Sequence, residues 1–158
     1  MSGGEIYKIL KERFGEKIGE FKDGHQPSIE IDKGIIKELA KFLKEDNRFL
    51  FDHLVYVTAL DEKTKIKVIW CLFSYTYKHY LMLKADLDRE NPEVETVSDI
   101  WATAEWHERE TYDFFGINFK GHPDLRRILL PDDWEGYPLR KDYVPPEFYH
   151  GIDNRYKR

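Results

Sequence analysis

Cysteine is almost absent: Cys71 is the only one in 158 residues. That excludes an intramolecular disulfide. It also excludes an iron–sulfur cluster held by this chain alone, which takes about four thiolates. A reducing compartment fits this usage. Long apolar runs are missing too. The longest clean one, Val68–Phe73, falls far short of the roughly 20 residues of a spanning helix. The N-terminus MSGGEIYKIL has neither the basic region nor the long apolar region of a secretory signal. Work at a membrane would then depend on other subunits to hold the chain there. There is no surplus of positive charge, and the net charge of −5 argues against nucleic acid as the main partner. Internal repeats, low-complexity tracts, a nucleophile elbow, a phosphate-binding loop and a dinucleotide glycine fingerprint are all missing.

Aromatic residues make up 15% of the chain, ample for a core, and charged residues make up 35%. A chain of this size reads as one domain that buries roughly 70% of its unfolded surface. In residues 5–14, Ile6, Ile9, Leu10 and Phe14 recur at helical spacing, and Gly15 is a stop. Residues 16–31 read as two short extended pieces broken by the turn KDGHQP. Asp32 is an N-cap for a helix over 33–45. Residues 49–61, 65–75 and 78–90 are three strands with short connections, which favour antiparallel neighbours. Residues 91–99 are a loop. Ser98 caps a helix that runs to about Phe115 and ends at Gly116. The predicted class is α+β: a mostly antiparallel meander with helices packed on it over residues 1–116. An extended, largely irregular C-terminal segment then covers 117–158. That segment carries Gly or Pro every few residues, yet it is rich in Phe, Trp, Tyr, Leu and Ile, unlike a disordered tail. It reads as a segment that a partner surface orders, protease-sensitive beyond about residue 117 when alone. The competing reading is that it folds back over its own sheet.

EWHERETYDFFG, residues 105–116, concentrates carboxylates around His107. At 100° per residue, Glu108 falls on the apolar side of the helix with Ile100, Ala104, Thr111 and Phe115. Arg109 and Asp113 fall opposite, and Glu110 lies to one side. A carboxylate on an apolar face must find a partner or stay protonated. A metal site from His107, Glu108, Glu110 and His122 fails on spacing, because helical ligands must sit three or four apart. Catalysis by Glu108 with His107 lacks the accompanying machinery. The remaining reading is structural: Glu108 pairs with an arginine of this chain or of a neighbour and fixes how two surfaces meet. Arg126, Arg127, Arg140 and Lys141 are the nearby cations, and arginine's planar fork suits such pairs. His122, before Pro123, reads as a turn or hydrogen-bonding residue.

WHERETYDFFGINFKGHPDLRRILL resembles the motif of the 30 kDa subunit family of respiratory complex I, the C subunit of bacterial NADH–quinone oxidoreductase. Glu108, Arg109, Glu110, Asp113, Phe114, Phe115, His122 and the RRILL run match at the family's spacing. WEGYPLRKDY (134–143) looks like its second block, and SDIWATAEW precedes the motif as expected. The match covers about residues 96–145. The resemblance implies a non-catalytic structural subunit of the hydrophilic arm of a proton-pumping NADH:quinone oxidoreductase. It would sit at the cytoplasmic side of the inner membrane, docked on the 49 kDa-type subunit near the quinone site. No cofactor would be bound by this chain; FMN, iron–sulfur clusters and quinone would belong to partner subunits. The equivalent subunit of a ferredoxin- or F420-dependent complex, or of a membrane-bound [NiFe] hydrogenase, is the alternative. Glu108, Arg109, Glu110, Asp113, His122, Arg126, Arg127, Arg140 and Lys141 are the candidate interface and structural ion-pair residues.

Overall fold

The computed structural model describes residues 1–155. The last three residues of the irregular segment expected over 117–158 therefore lie outside the described residues. The fold is α+β, built on a five-stranded sheet of order β1 (Ile18–Lys22), β2 (Ser28–Ile31), β5 (His79–Asp88), β4 (Lys65–Ser74) and β3 (His53–Asp61). The meander of β3, β4 and β5 forms as expected, with antiparallel pairing throughout. β1 and β2 pair antiparallel, and β2 then lies parallel to β5. Period-two alternation sends Ile66, Val68, Trp70 and Leu72 of β4 and Leu81, Leu83, Ala85 and Leu87 of β5 into one apolar core. On the other face, Lys67 stands between Glu30 and Asp86, 2.9 and 3.1 Å away.

Helix α1 (Gly3–Phe14) starts with a capping box between Ser2 and Glu5 and buries Ile6 and Leu10. Asp32 caps as expected, its carboxylate accepting from the Gly34 N–H. The first turn it caps, residues 33–35, is 3₁₀, and helix α2 proper is Ile36–Glu45. Its buried face is Ile36, Leu39, Ala40 and Leu43.

Two expectations change in the second half. Residues 91–99 are not all loop: β6 (Glu93–Glu95) pairs parallel with β7 (Asn118–Lys120), which opens the tail. Val94 and Phe119 are buried there. Ser98 does not cap the next helix, since α3 is Ala104–Phe115. Residues 97–103 instead fold into successive turns, with Trp101 N–H bonded to Val97 O and Ala104 N–H to Trp101 O. The Trp101 indole donates to Phe51 O at 2.9 Å, so burying that ring takes precedence over extending the helix. Gly116 ends α3 in the left-handed conformation, φ 71°.

Candidate docking site: helix α3 and the tail that covers it

α3 lies along β3, the edge strand of the sheet. The Thr103 hydroxyl donates to Leu54 O at 3.1 Å, and the single Thr111 hydroxyl proton is shared between Val57 O at 3.1 Å and His107 O of its own helix at 2.7 Å. Threonines thus satisfy edge carbonyls that would otherwise invite another strand. Glu108 points inward as the periodicity implies and is fully buried. Among the described residues no arginine of this chain meets it. Its Oε1 accepts the Val97 N–H at 2.8 Å, and its Oε2 makes a short contact with the Thr96 hydroxyl. The turn that displaced the helix start supplies these donors. Burial, with a smaller push from Asp99, raises the Glu108 pKa to about 7 against the pull of Thr96, Val97 and Lys37.

Arg109 and Asp113 lie on the side of α3 opposite Glu108, as the periodicity places them. Both are buried, because residues 122–140 return over that side of α3. Arg109 Nε donates to Arg126 O, its guanidinium lies 4.9 Å from the Trp106 ring centroid, and Asp124 is 3.7 Å away. Asp113 is the anchor of the tail. Its Oδ1 takes Arg127 Nη1 at 2.8 Å, and its Oδ2 accepts three consecutive backbone N–H groups, of Ile128, Leu129 and Leu130, at 2.8–3.1 Å. Burial alone would raise this pKa. The N–H groups and the Arg127 guanidinium outweigh it and hold the carboxyl below the usual range. Arg127 also donates to Asp113 O, Trp134 O and Gly136 O.

Further along, Leu139 N–H bonds Phe114 O, and Arg140 Nε donates to Phe115 O at 2.8 Å. Arg127 and Arg140 both stack on the Tyr137 ring, with centroid distances of 5.4 and 5.1 Å. Arg140 therefore works through a carbonyl and a ring rather than a carboxylate. Lys141 contributes its backbone N–H to Asp61 Oδ2 at 2.8 Å. Asp61 also holds Arg89, which reaches on to Asp142 at 2.8 Å. Burial would raise the Asp61 pKa, but the Lys141 and Lys63 N–H groups and Arg89 bring it down to about 2. His122 bridges Glu105 O and the Asp124 N–H, a turn role as expected. Arg126 pairs with nearby Asp124 at the surface. Glu110 is exposed and in no ion pair among the described residues.

Sequence reading missed Thr96, Asp61, Arg89 and Tyr137. A hydroxyl and a strand-end aspartate carry no periodic signal, and Tyr137 is marked only by the glycine it rests on. A Cβ at Gly116 would lie 2.4 Å from that ring. Among its charged residues, the outer side of the returned tail presents apolar side chains: Leu129, Leu139, Val144, Phe148 and Ile152 are all more than half exposed. Its end is a hairpin of β8 (Phe148–Tyr149) and β9 (Ile152–Asp153). No helix among the described residues is long and apolar enough to cross a membrane.

Helix α3 and the returned tail together form a surface held in place by buried charges. Residues 29–149 match the family described as the respiratory-chain NADH dehydrogenase 30 Kd subunit, and the chain belongs to that family. Among its relatives, the NADH-quinone oxidoreductase C subunit of Chloroherpeton thalassium is 41% identical over 150 residues, 92% of this chain and 62% of the relative. The F(420)H(2) dehydrogenase C subunit of Methanosarcina mazei is 39% identical over 165 residues, 100% of this chain and 98% of the relative. Among solved structures, a chain of the membrane-bound sulfane sulfur reductase, an archaeal respiratory membrane complex, superposes with a TM-score of 0.75 at 29% identity. That match covers 90% of this chain and 85% of the other.

Proposed function

We propose that the chain is a structural subunit of the peripheral arm of a respiratory oxidoreductase, without catalysis of its own. Its tail docks on the 49 kDa-type subunit beside the quinone site, at the cytoplasmic side of the membrane. One observation carries this reading. The tail is pinned from within by Asp113, Arg127 and Asp61 while it turns Leu129, Leu139, Val144, Phe148 and Ile152 outward. Apolar side chains in an ordered irregular segment, backed by buried polar anchors, suit burial against another protein. The electron donor is set elsewhere in the complex. NADH fits the family's description, and the full-length match to the F(420)H(2) dehydrogenase subunit supports a deazaflavin-fed complex as the second reading.

The test is complementation of a strain lacking this chain. Val144 is 82% exposed and Phe148 53%, so Val144→Asp with Phe148→Asp should leave the stability of the isolated chain unchanged. Native gels should show the assembled complex reduced at least tenfold. Full assembly with the doubly charged tail would remove the docking role.

A further inference from the structure

Between β3, α3 and the returning tail lies a cleft of about 350 Å³. Val57, Phe114, Leu139 and the Tyr56 ring make most of its apolar lining, and His107 and Glu110 are polar groups beside the hydroxyls of Thr58 and Thr111. Glu110 is the one formally charged side chain of that lining. Of the other acidic residues of α3, Glu108 is sealed against Thr96 and Val97, Asp113 is saturated by the tail, and Glu105 lies outside the lining of the cleft. Glu110 enters no ion pair or hydrogen bond among the described residues, although Arg126, Arg127, Arg140 and Lys141 all lie on the same tail. Two of those cations are engaged with backbone carbonyls and the Tyr137 ring, and a third with Asp124. The cleft is continuous with the docking surface, because Leu139 belongs to both.

From this we infer that the cleft receives an arginine-bearing segment of the neighbouring subunit, with Glu110 as its counter-ion. An arginine stem is apolar over three methylenes and would lie on Phe114 and Leu139, and the planar fork would meet the Glu110 carboxylate two-handed. The Tyr56 and Phe114 rings add faces on which a guanidinium stacks. A wholly apolar segment would strand Glu110 without a partner, and an acidic one would be repelled. The inference rests on the docking reading above and adds the chemistry of what docks.

The experiment places the photo-crosslinking residue p-benzoylphenylalanine at Leu139, more than half exposed in the free chain, in the complemented strain. Illumination of the assembled complex should trap a neighbouring subunit at a segment with an arginine within a few residues. In parallel, Glu110→Arg should lower the yield of complex at least tenfold, Glu110→Gln should lower it less, and neither should change the unfolding midpoint of the isolated chain. A cross-link to an acidic or uncharged segment overturns the cleft assignment, as does full assembly of Glu110→Arg; either result leaves docking by the tail standing. If Val144→Asp with Phe148→Asp also assembles fully and no cross-link forms, the docking reading falls and the cleft assignment with it.

Discussion

Glu108 and Asp113 are both fully buried carboxyl groups on one helix, and their pKa values move in opposite directions. The difference lies in the donors. Among the described residues Glu108 has one N–H and one hydroxyl and no cation in contact, so burial dominates. Asp113 has three N–H groups and a guanidinium, so ionisation is favoured despite burial. Opposite pH dependences follow. The folded chain holds the Glu108 proton to about pH 7, whereas its ordinary value is 4.5. That contribution is present below pH 4.5 and is lost as pH rises through 7, amounting to about 3 kcal/mol. Asp113 works the other way, contributing above its ordinary 3.8 and losing that contribution as pH falls below it. Glu108→Gln should therefore flatten the decline in urea-unfolding free energy between pH 5 and 8. A variant whose decline matches the parent's over that window would mean that Glu108 is ionised throughout.

At the scale of elements, α3 is held on two sides, and only one of them was legible in the sequence. The 100° periodicity correctly placed Glu108 inward with Ala104, Thr111 and Phe115, because the sheet imposes that period. It could not show that Arg109 and Asp113 are buried, because their cover is an irregular segment that follows no period. Nor could side-chain pattern reveal that Asp113 is met by backbone N–H groups, which every residue but proline carries. The meander, α1 and α2 were readable for the converse reason: each is decided by local alternation or by a cap. β6 and β7 were missed because three-residue strands leave almost no alternation to read. Gly116 joins the two sides, being left-handed and lying under the Tyr137 ring. Gly116→Ala should cost more than about 1 kcal/mol, from both strain and displacement of that ring. Urea denaturation measures the loss. Limited trypsin digestion should then cut at Arg126, Arg127, Arg140 or Lys141, sites slow to cut in the parent.

For the whole molecule, the segment expected to stay loose until a partner arrives is already tied to its own domain as far as Asp142. The tail does fold back, but over α3 rather than over the sheet, and the partner reading is left with its outer side. Such a surface loses less entropy on assembly than one ordered by the partner. On the proposed reading, a chain with one cysteine serves an electron-transfer family by shaping a surface. Hydrogen exchange of the isolated chain and of the assembled complex tests this account most directly. The Ile128, Leu129 and Leu130 amides should already be protected in the isolated chain and should lose that protection in Asp113→Asn. Assembly should add protection mainly at residues 139–153. Exchange of residues 128–130 at unfolded-chain rates in the isolated protein, or no added protection at 139–153 on assembly, would contradict it.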